Sequence, residues 1–205
     1  MWFIDLARQK HKITLIVRGN RNFKYASLLG SKNEMEKYVE VLNIDFSDIT
    51  KMIEDRFDII IADVTDPWGE SSFLYTKEFY ELIYNALKDD GIFVTQSTQI
   101  ALSVDVYAVI HSTISSIFPI SRLYHTFVPS FLLDWSFNIG SKKYDPIALS
   151  GEEIDSRIRE RIAGDLKFYD SETHKHMFSI PKHVRRALNS TKKISTDSEP
   201  IYLPI

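Results

Sequence analysis

The chain has 205 residues, of which 44% are hydrophobic and 26% are charged, and its formal net charge at pH 7 is −3. This length and composition are typical of one soluble globular chain with a sizeable hydrophobic core. The weakly negative charge argues against binding nucleic acid over a broad surface. The sequence contains no cysteine, which excludes disulfide bonds and thiolate metal sites.

The sequence also lacks the usual signals for export, membrane insertion and metal binding. No run reaches the roughly 18 apolar residues that a membrane-spanning helix needs, and the first residues lack the basic and apolar regions of an export signal. His174 and His176 flank Lys175, but a structural metal site needs three or four convergent ligands. We therefore expect a cytoplasmic protein with no membrane anchor, no metal and no nucleic-acid partner.

The first part of the chain alternates short apolar runs with helical patterns. Strands are predicted at Ile13 to Val17, Val39 to Asp45 and Phe57 to Ala62. An irregular helix over Phe23 to Lys37 and a short helix over Ser47 to Glu54 separate them. Strand, helix and strand in such close succession predict parallel βαβ units.

The third strand is followed by a loop that carries two acids. Its three consecutive isoleucines favour a strand buried on both faces. It ends at Asp63, and Asp66 follows in the loop. Ligands of open α/β sheets bind outside the carboxyl ends of the strands, so both acids lie where a substrate would bind. The alternative is that they only build the turn, one through an Asx turn and the other as a solvated acid.

The remaining elements complete an α/β pattern. Thr76 is a plausible N-cap of a helix that ends at Asp90-Gly91. A strand, a helix, two strands and two helices are then predicted at Ile92–Thr95, Val104–Ile117, Arg122–Phe127, Ser136–Gly140, Arg157–Ile162 and Lys182–Leu188. The late pair of strands fits an antiparallel hairpin, whose apolar loop Pro129 to Trp135 would cover a pocket or a neighbouring subunit. Residues 1–190 would form one domain, and residues 191–205 a loosely ordered tail.

The loop and helix after the third strand match a known signature. Its residues are Asp63-Val64-Thr65-Asp66-Pro67, then Gly69, Phe73-Leu74-Tyr75 and Phe79-Tyr80. They resemble the spermidine synthase (polyamine aminopropyltransferase) family, in which D-S-S/T-D-P, a leucine–phenylalanine pair and F-Y follow a strand. The resemblance implies a methyltransferase-like Rossmann sheet, mostly parallel with an antiparallel C-terminal hairpin.

Three later segments match the same family in order. Gly91 to Gln96 resembles its next strand and glutamine, and Val128-Pro129-Ser130-Phe131 resembles its I-P-T-Y segment. The run from Phe168 to Lys175, with Phe178, Pro181 and Val184-Arg185, resembles its closing Y-Y-N-P-E-I-H-K…F-x-L-P…V-R motif. Together the matches cover Val39 to Leu188.

The sequence departs from the family pattern at four places. The usual N-terminal β-domain is missing, and Arg18-Gly19-Asn20 stands where a G-G-G-D-G loop is usual. Glycines in such a loop let the backbone approach a ligand closely. Phe131 replaces the tyrosine of I-P-T-Y, and Thr98 replaces the usual glutamate.

The resemblance implies transfer of an aminopropyl group from decarboxylated S-adenosylmethionine to putrescine or a related amine, without a metal or prosthetic group. It implies that Asp63 is the general base. It implies that Asp66, Gln96 and Phe131 bind the amine substrate. It assigns the co-substrate to Asp45, Asp63 and Pro67, although Asp45 could instead belong to the cap of the following helix.

Two other functions are conceivable for a chain with this pattern. The atypical Arg18-Gly19-Asn20 loop favours a catalytically weakened homologue that binds polyamine or pairs with an active subunit. A methyltransferase on the same fold is disfavoured, because D-x-x-D-P with the closing motif is not a methyltransferase feature. The apolar N-terminal residues and Leu132-Leu133 further predict a homodimer or homotetramer.

Overall fold

The computed structural model describes residues 13–17, 39–43, 57–162 and 164–203. The chain divides into two compact units, residues 1–52 and 53–205. The described part of the first unit is a parallel pair of strands, β1 (Ile13–Val17) and β2 (Val39–Asn43). Both predicted strands are confirmed. The two predicted helices of this region, the Arg18-Gly19-Asn20 loop and Asp45 lie outside the described residues.

The second unit contains a four-stranded mixed sheet. Its strands are β3 (Phe57–Ala62), β4 (Leu87–Gln99), β5 (Ile120–Val128) and β6 (Leu133–Ser141), in the spatial order β3-β4-β6-β5. β3 and β4 are parallel, and β6 is antiparallel to both β4 and β5. The predicted α/β architecture, with parallel strands and an antiparallel hairpin near the C-terminal end, is confirmed.

In the described part of this unit, two helices lie between strands along the chain, and three follow the last strand. They are α1 (Lys77–Ala86), α2 (Val104–Ser115), α3 (Gly151–Arg161), α4 (Ser171–Met177) and α5 (Lys182–Ser190), with 3-10 turns at Gly69–Tyr75 and Pro146–Ala148. The sequence pattern starts α3 six residues too late and misses α4. Both helices begin with side-chain caps, Ser150 with Glu153 for α3 and Asp170 for α4. Because their first turns are polar, the spacing of apolar residues does not indicate where these helices begin.

Helix α1 begins as predicted but ends earlier. The Thr76 hydroxyl accepts a hydrogen bond from the backbone N–H of Phe79, which caps the first turn. The predicted end at Asp90-Gly91 is wrong, because Leu87 already belongs to β4. A side chain at Gly91 would place its Cβ 2.8 Å from Cβ of Leu87. Gly91 therefore permits a close approach within the strand and does not terminate a helix.

Aromatic side chains fill the core between the sheet and the first two helices. Tyr80 and Phe93 are fully buried, and their ring centroids lie 5.4 Å apart. Phe118, just after α2, stacks on Phe93 at 6.1 Å. The prediction that β3 is buried on both faces is not met, because Ile59 and Ile61 remain 59% and 44% exposed. A run of apolar residues alone cannot distinguish a strand that is buried on both faces from a strand that has one exposed face.

The C-terminal segment packs against both α1 and α2. The fully buried Ser195 accepts a hydrogen bond from the backbone N–H of Lys77 and donates its own N–H to the hydroxyl of Thr113. Leu203 donates its N–H to the carbonyl of Pro67 at 2.9 Å. The sequence suggested a loose tail because its composition is polar, whereas these anchoring contacts are made largely by backbone groups.

Candidate active site

The candidate site lies at the carboxyl ends of the parallel neighbours β3 and β4. Asp63 directly follows β3, and Asp66 lies three residues further along the loop. Gln96 lies in β4, where Thr95 is paired with Ala62, the last residue of β3. The structure thus brings Asp66 and Gln96 together as the strand order predicts: Nε2 of Gln96 lies 3.2 Å from Oδ1 of Asp66.

A 3-10 turn fixes the loop that carries Asp66. Gly69 starts this turn with φ +54°, a conformation that glycine adopts without steric cost. The Ser71 hydroxyl lies 3.0 Å from the backbone carbonyl of Asp66. At the end of the turn, the fully buried Tyr75 donates its hydroxyl to the carbonyl of Thr65 at 2.8 Å. The loop between the two acids is therefore held by side chains that follow it in the sequence.

Gln96 is the centre of a buried hydrogen-bond network. Its side-chain nitrogen donates to Asp66 and to the hydroxyl of Tyr75. Its side-chain oxygen accepts the indole N–H of Trp135 at 2.9 Å and the backbone N–H of Thr98 at 3.0 Å. The glutamine side chain is only 6% exposed. The network joins the loop after β3, strand β4 and strand β6.

Thr98 adopts a left-handed backbone conformation, with φ +70°. This is a rare conformation for a β-branched residue and carries a conformational cost. It directs the Thr98 N–H back to the side chain of Gln96. The buried hydroxyl of Ser136 lies 2.9 Å from the carbonyls of both Ser97 and Thr98, which holds the strained segment in place.

Burial and hydrogen bonding act in opposite directions on the pKa of Asp66. Partial burial raises the pKa above its ordinary value, because the charged carboxylate loses hydration, and the hydrogen bond from Gln96 lowers it. Burial also raises the pKa of Tyr75, and the negative charges of Asp66 and Asp63 add to that increase. Tyr75 therefore stays a neutral hydroxyl beside the two acids.

Asp63 and Pro67 lie in different environments on this loop. Asp63 is exposed, so its carboxylate can meet a ligand from solvent. Pro67 is buried, and its carbonyl accepts the hydrogen bond from Leu203. Asp45, the other residue assigned to the co-substrate, lies outside the described residues.

The tip of the β5–β6 hairpin contributes an aromatic pair. Phe131 is 53% exposed, and its ring centroid lies 4.7 Å from that of Trp135. Since Trp135 also donates to Gln96, the pair connects the hairpin tip with the acidic loop. Sequence reasoning singled out Phe131 but not the partners of Gln96, Tyr75 and Trp135. Tyr75 lies within a segment that matched the family, and Trp135 lies in the predicted hairpin loop. The signal in the sequence was an aromatic side chain with a polar group at its end, which needs a hydrogen-bond partner when it is buried.

Two other functional features are absent from the described part of the chain. Within those residues, no helix is long and apolar enough to cross a membrane. The same residues hold no group of three or more histidine, cysteine, aspartate or glutamate side chains that could bind a metal ion.

The fold and the site define an α/β protein. A loop with two acids follows a parallel strand, and an antiparallel hairpin lies beside that loop. The family model described as the spermine/spermidine synthase domain matches residues 26–150 of the chain. The chain belongs to this family.

Curated relatives of the chain are described as polyamine aminopropyltransferases. The chain is 43% identical over 152 residues to polyamine aminopropyltransferase 2 of Hyperthermus butylicus. It is 39% identical over 171 residues to the polyamine aminopropyltransferase of Saccharolobus solfataricus. These matches cover 73% and 82% of this chain but only 50% and 56% of the relatives. The chain thus spans about half the length of the curated relatives it matches.

Solved structures support the fold assignment. A spermidine synthase crystallised with the transition-state analogue AdoDATO is 28% identical and superposes with a TM-score of 0.72, over 88% of this chain and 62% of that one. Spermidine synthase from Thermotoga maritima, at 23% identity and a TM-score of 0.68, covers 92% of this chain and 72% of that one. The Rossmann-like sheet predicted from the resemblance is confirmed.

Proposed function

We propose that this chain carries the acceptor site for aminopropyl transfer from decarboxylated S-adenosylmethionine to putrescine or a related amine. The products are spermidine, when putrescine is the acceptor, and methylthioadenosine. The names of the relatives and of the AdoDATO complex support this proposal. The observation that carries it is the pair Asp63 and Asp66 beside Gln96 at the ends of two parallel strands.

Two carboxylates at a strand end favour a cationic substrate over a neutral one. At about 4 Å and an effective dielectric constant near 20, one carboxylate–ammonium contact is worth on the order of 4 kcal/mol before desolvation. A diamine is protonated at neutral pH, and lowering a pKa of about 10.4 to 7 costs roughly 4.6 kcal/mol. A nearby base therefore has to take one proton from the acceptor.

We assign that proton transfer to Asp63 and the attraction of the amine to Asp66. Asp63 is exposed to solvent, whereas the carboxylate of Asp66 accepts a hydrogen bond from Gln96. The deprotonated amine nitrogen forms a bond to the carbon of the aminopropyl group that is attached to sulfur. The carbon–sulfur bond breaks, and its electron pair stays on sulfur as the sulfonium charge is neutralised. The proton that the amine nitrogen lost is left on Asp63.

The proposed ligand contacts extend to both sides of the acids. Phe131, exposed at the hairpin tip next to Trp135, offers an apolar surface for the methylene groups of the amine. The loop through Asp63 and Pro67, together with Asp45, is proposed to contact the co-substrate. We also propose a cytoplasmic location, since a chain without cysteine gains no disulfide stability from an oxidising compartment.

The test is a direct assay with decarboxylated S-adenosylmethionine and putrescine, in which methylthioadenosine is quantified by chromatography. Calorimetric titration with the co-substrate and with methylthioadenosine runs in parallel. We expect product formation and binding of both nucleosides. Binding of polyamine without any turnover would instead support a weakened partner subunit, and failure to bind either nucleoside would overturn the proposal.

We further propose that the chain assembles as a homodimer or homotetramer. Phe127, Leu132 and Leu133 at the hairpin tip are 56%, 78% and 41% exposed. A cluster of exposed apolar side chains of this kind is typical of interaction surfaces. Sedimentation at micromolar concentration should give a mass of at least twice 23.8 kDa. A monomer over that range would contradict the proposal.

A further inference from the structure

The orientation of the Gln96 side-chain amide follows from the chemistry of its neighbours. The indole N–H of Trp135 and the backbone N–H of Thr98 can only donate, so the atom that both contact must be oxygen. An ionised Asp66 carboxylate can only accept, so the atom facing it must be nitrogen. The assignment of oxygen and nitrogen in this amide is thereby fixed by donors and acceptors of known type.

Every hydrogen-bonding position of this amide is in use. Its two N–H hydrogens are directed to Asp66 and to the Tyr75 hydroxyl, and its oxygen accepts from Trp135 and Thr98. A primary amide offers two donors and two lone pairs and no more. With the side chain 6% exposed, a substrate amine has no remaining position on Gln96 to which it could bond.

We infer that Gln96 is a positioning residue for Asp66 and does not itself contact the amine. The inference rests on the proposed function and departs from the sequence-based assignment of Gln96 to substrate binding. Gln96 holds Oδ1 of Asp66 at 3.2 Å. In the described part of the chain, Oδ2 of Asp66 has no hydrogen-bond partner, which leaves this second oxygen to meet the cationic amine.

The same network links Asp66 to the hairpin and to the strained backbone. Trp135 and Thr98 hold the amide oxygen, so the amide cannot rotate to face Asp66 with oxygen without losing both bonds. The strained, left-handed conformation of Thr98 therefore helps to keep the side-chain nitrogen of Gln96 directed at Asp66. In this position the donor favours the ionised form of the carboxylate, opposing the effect of burial.

The first test is the titration of Asp66 followed by carboxyl carbon NMR in the wild-type protein and in Gln96→Met. Methionine keeps the length of the side chain but removes its donors and acceptors. We expect the pKa of Asp66 to rise by about one pH unit or more, as for the loss of a hydrogen bond to a charged group. The matched control is Gln99→Met. Within the described residues, Oε1 of Gln99 has no hydrogen-bond partner, so the pKa of Asp66 should not move.

Kinetics distinguish positioning from direct binding. If Gln96 acts through Asp66, the acid limb of the pH profile of kcat/KM moves to higher pH in Gln96→Met, and putrescine affinity recovers at pH values above the new limb. If Gln96 bonds to the amine, KM rises at every pH and the NMR titration of Asp66 does not change. The second result would overturn the inference while leaving the proposed transfer reaction intact.

The wild-type protein gives a test that needs no variant and no activity. Both side-chain amide hydrogens of Gln96 should exchange with solvent at least tenfold more slowly than those of Gln99, because both are buried and bonded. The indole N–H signal of Trp135, assigned with Trp135→Phe among the three tryptophans, should be protected as well. Rapid exchange of the Gln96 amide would contradict the network even if the enzyme is active.

Discussion

Nε2 of Gln96 donates a hydrogen bond to Oδ1 of Asp66 across 3.2 Å, joining residues that are 30 positions apart in the sequence. Asp63, three residues before Asp66, is exposed instead. Two acids on one loop thus have different surroundings, one partly buried with a donor behind it and the other open to solvent. Different surroundings are what allow paired carboxylates to take different chemical roles.

Replacement of the exposed acid tests its role as the general base. Asp63→Asn keeps the shape of the side chain but cannot take the amine proton. We expect kcat to fall by about 10²–10⁴, the usual contribution of a positioned acid–base group, while substrate binding weakens less. Steady-state assays of methylthioadenosine release measure both quantities.

The matched control for this variant lies in β3, five residues before Asp63. Asp58 is an exposed acid in β3 that forms an ion pair with Lys88 at 2.9 Å, and exposed pairs contribute about 0–1 kcal/mol to stability. Asp58→Asn should therefore leave kcat unchanged. Full activity of Asp63→Asn would exclude Asp63 as the base.

Replacement of the partly buried acid should act mainly on substrate affinity. Asp66→Asn removes the negative charge that attracts the amine but keeps an oxygen that can accept from Gln96. We expect KM for putrescine to rise more than kcat falls, the pattern of lost ground-state attraction. Varying putrescine at saturating co-substrate separates the two constants. A fall in kcat as large as that of Asp63→Asn, with KM unchanged, would reverse the assignment of the two acids.

The sequence was sufficient to predict the third strand, the two acids that follow it and the start of the next helix. An apolar run ending in Asp63, followed by Asp66 and a capped helix at Thr76, has few structural interpretations, and the structure places all three as expected. Strand ends that are adjacent in a parallel sheet bring their loops together, so the proximity of Gln96 to Asp66 could also be predicted from the sequence.

The remaining contacts of the site depend on conformations that periodicity does not encode. Nothing in the local sequence requires a left-handed Thr98, because the hydroxyl that holds it belongs to Ser136, 38 positions along the chain. The donation from Trp135 requires the register of β6 against β4, in which Gln96 pairs with Phe137 and Gln99 with Trp135 across a bulge. Such a register shift is set by the packed sheet and not by the strand sequence.

The backbone of β6 requires a residue without a side chain at one point of the core. A Cβ atom added at Gly140 would lie 2.6 Å from Cδ2 of Phe118 and 3.0 Å from Cγ2 of Ile114. Gly140→Ala should lower the free energy of unfolding by about 1–3 kcal/mol, the typical cost of overpacking a core. Urea denaturation measures the change, and Phe118→Leu in the same chain should recover part of it.

A second glycine gives the control for that measurement. At Gly151, in the first turn of α3, the nearest atom to an added Cβ is Cβ of Ser171 at 3.4 Å, an ordinary contact. Gly151→Ala should be neutral or stabilise the protein by up to about 1 kcal/mol, because alanine restricts the unfolded chain and favours a helix. Equal destabilisation by both substitutions would show that the contact with Phe118 is not the cause.

The partly buried Asp66 should also make stability depend on pH. Burial raises its pKa in the folded protein above the ordinary value of 3.8, and Gln96 offsets only part of this rise. A raised carboxyl pKa means that the folded state favours the neutral acid. The contribution of this group to stability is therefore fully present below its ordinary value and is lost as the pH rises through the folded-state pKa.

At neutral pH the ionised Asp66 should thus cost stability that Asp66→Asn restores. Because solvent screens a half-buried carboxylate, the gain in the free energy of unfolding should be at most about 1 kcal/mol. In a chain of this length, such a gain raises the melting temperature at pH 7 by about 1–3 °C. Thermal melts followed by circular dichroism from pH 3 to pH 7 should show the gain shrinking as the pH falls toward 3.8. A gain of the same size at pH 3 and pH 7 would point to packing by the amide, and a loss of stability at pH 7 would mean that the hydrogen bond from Gln96 outweighs the cost of burying the charge.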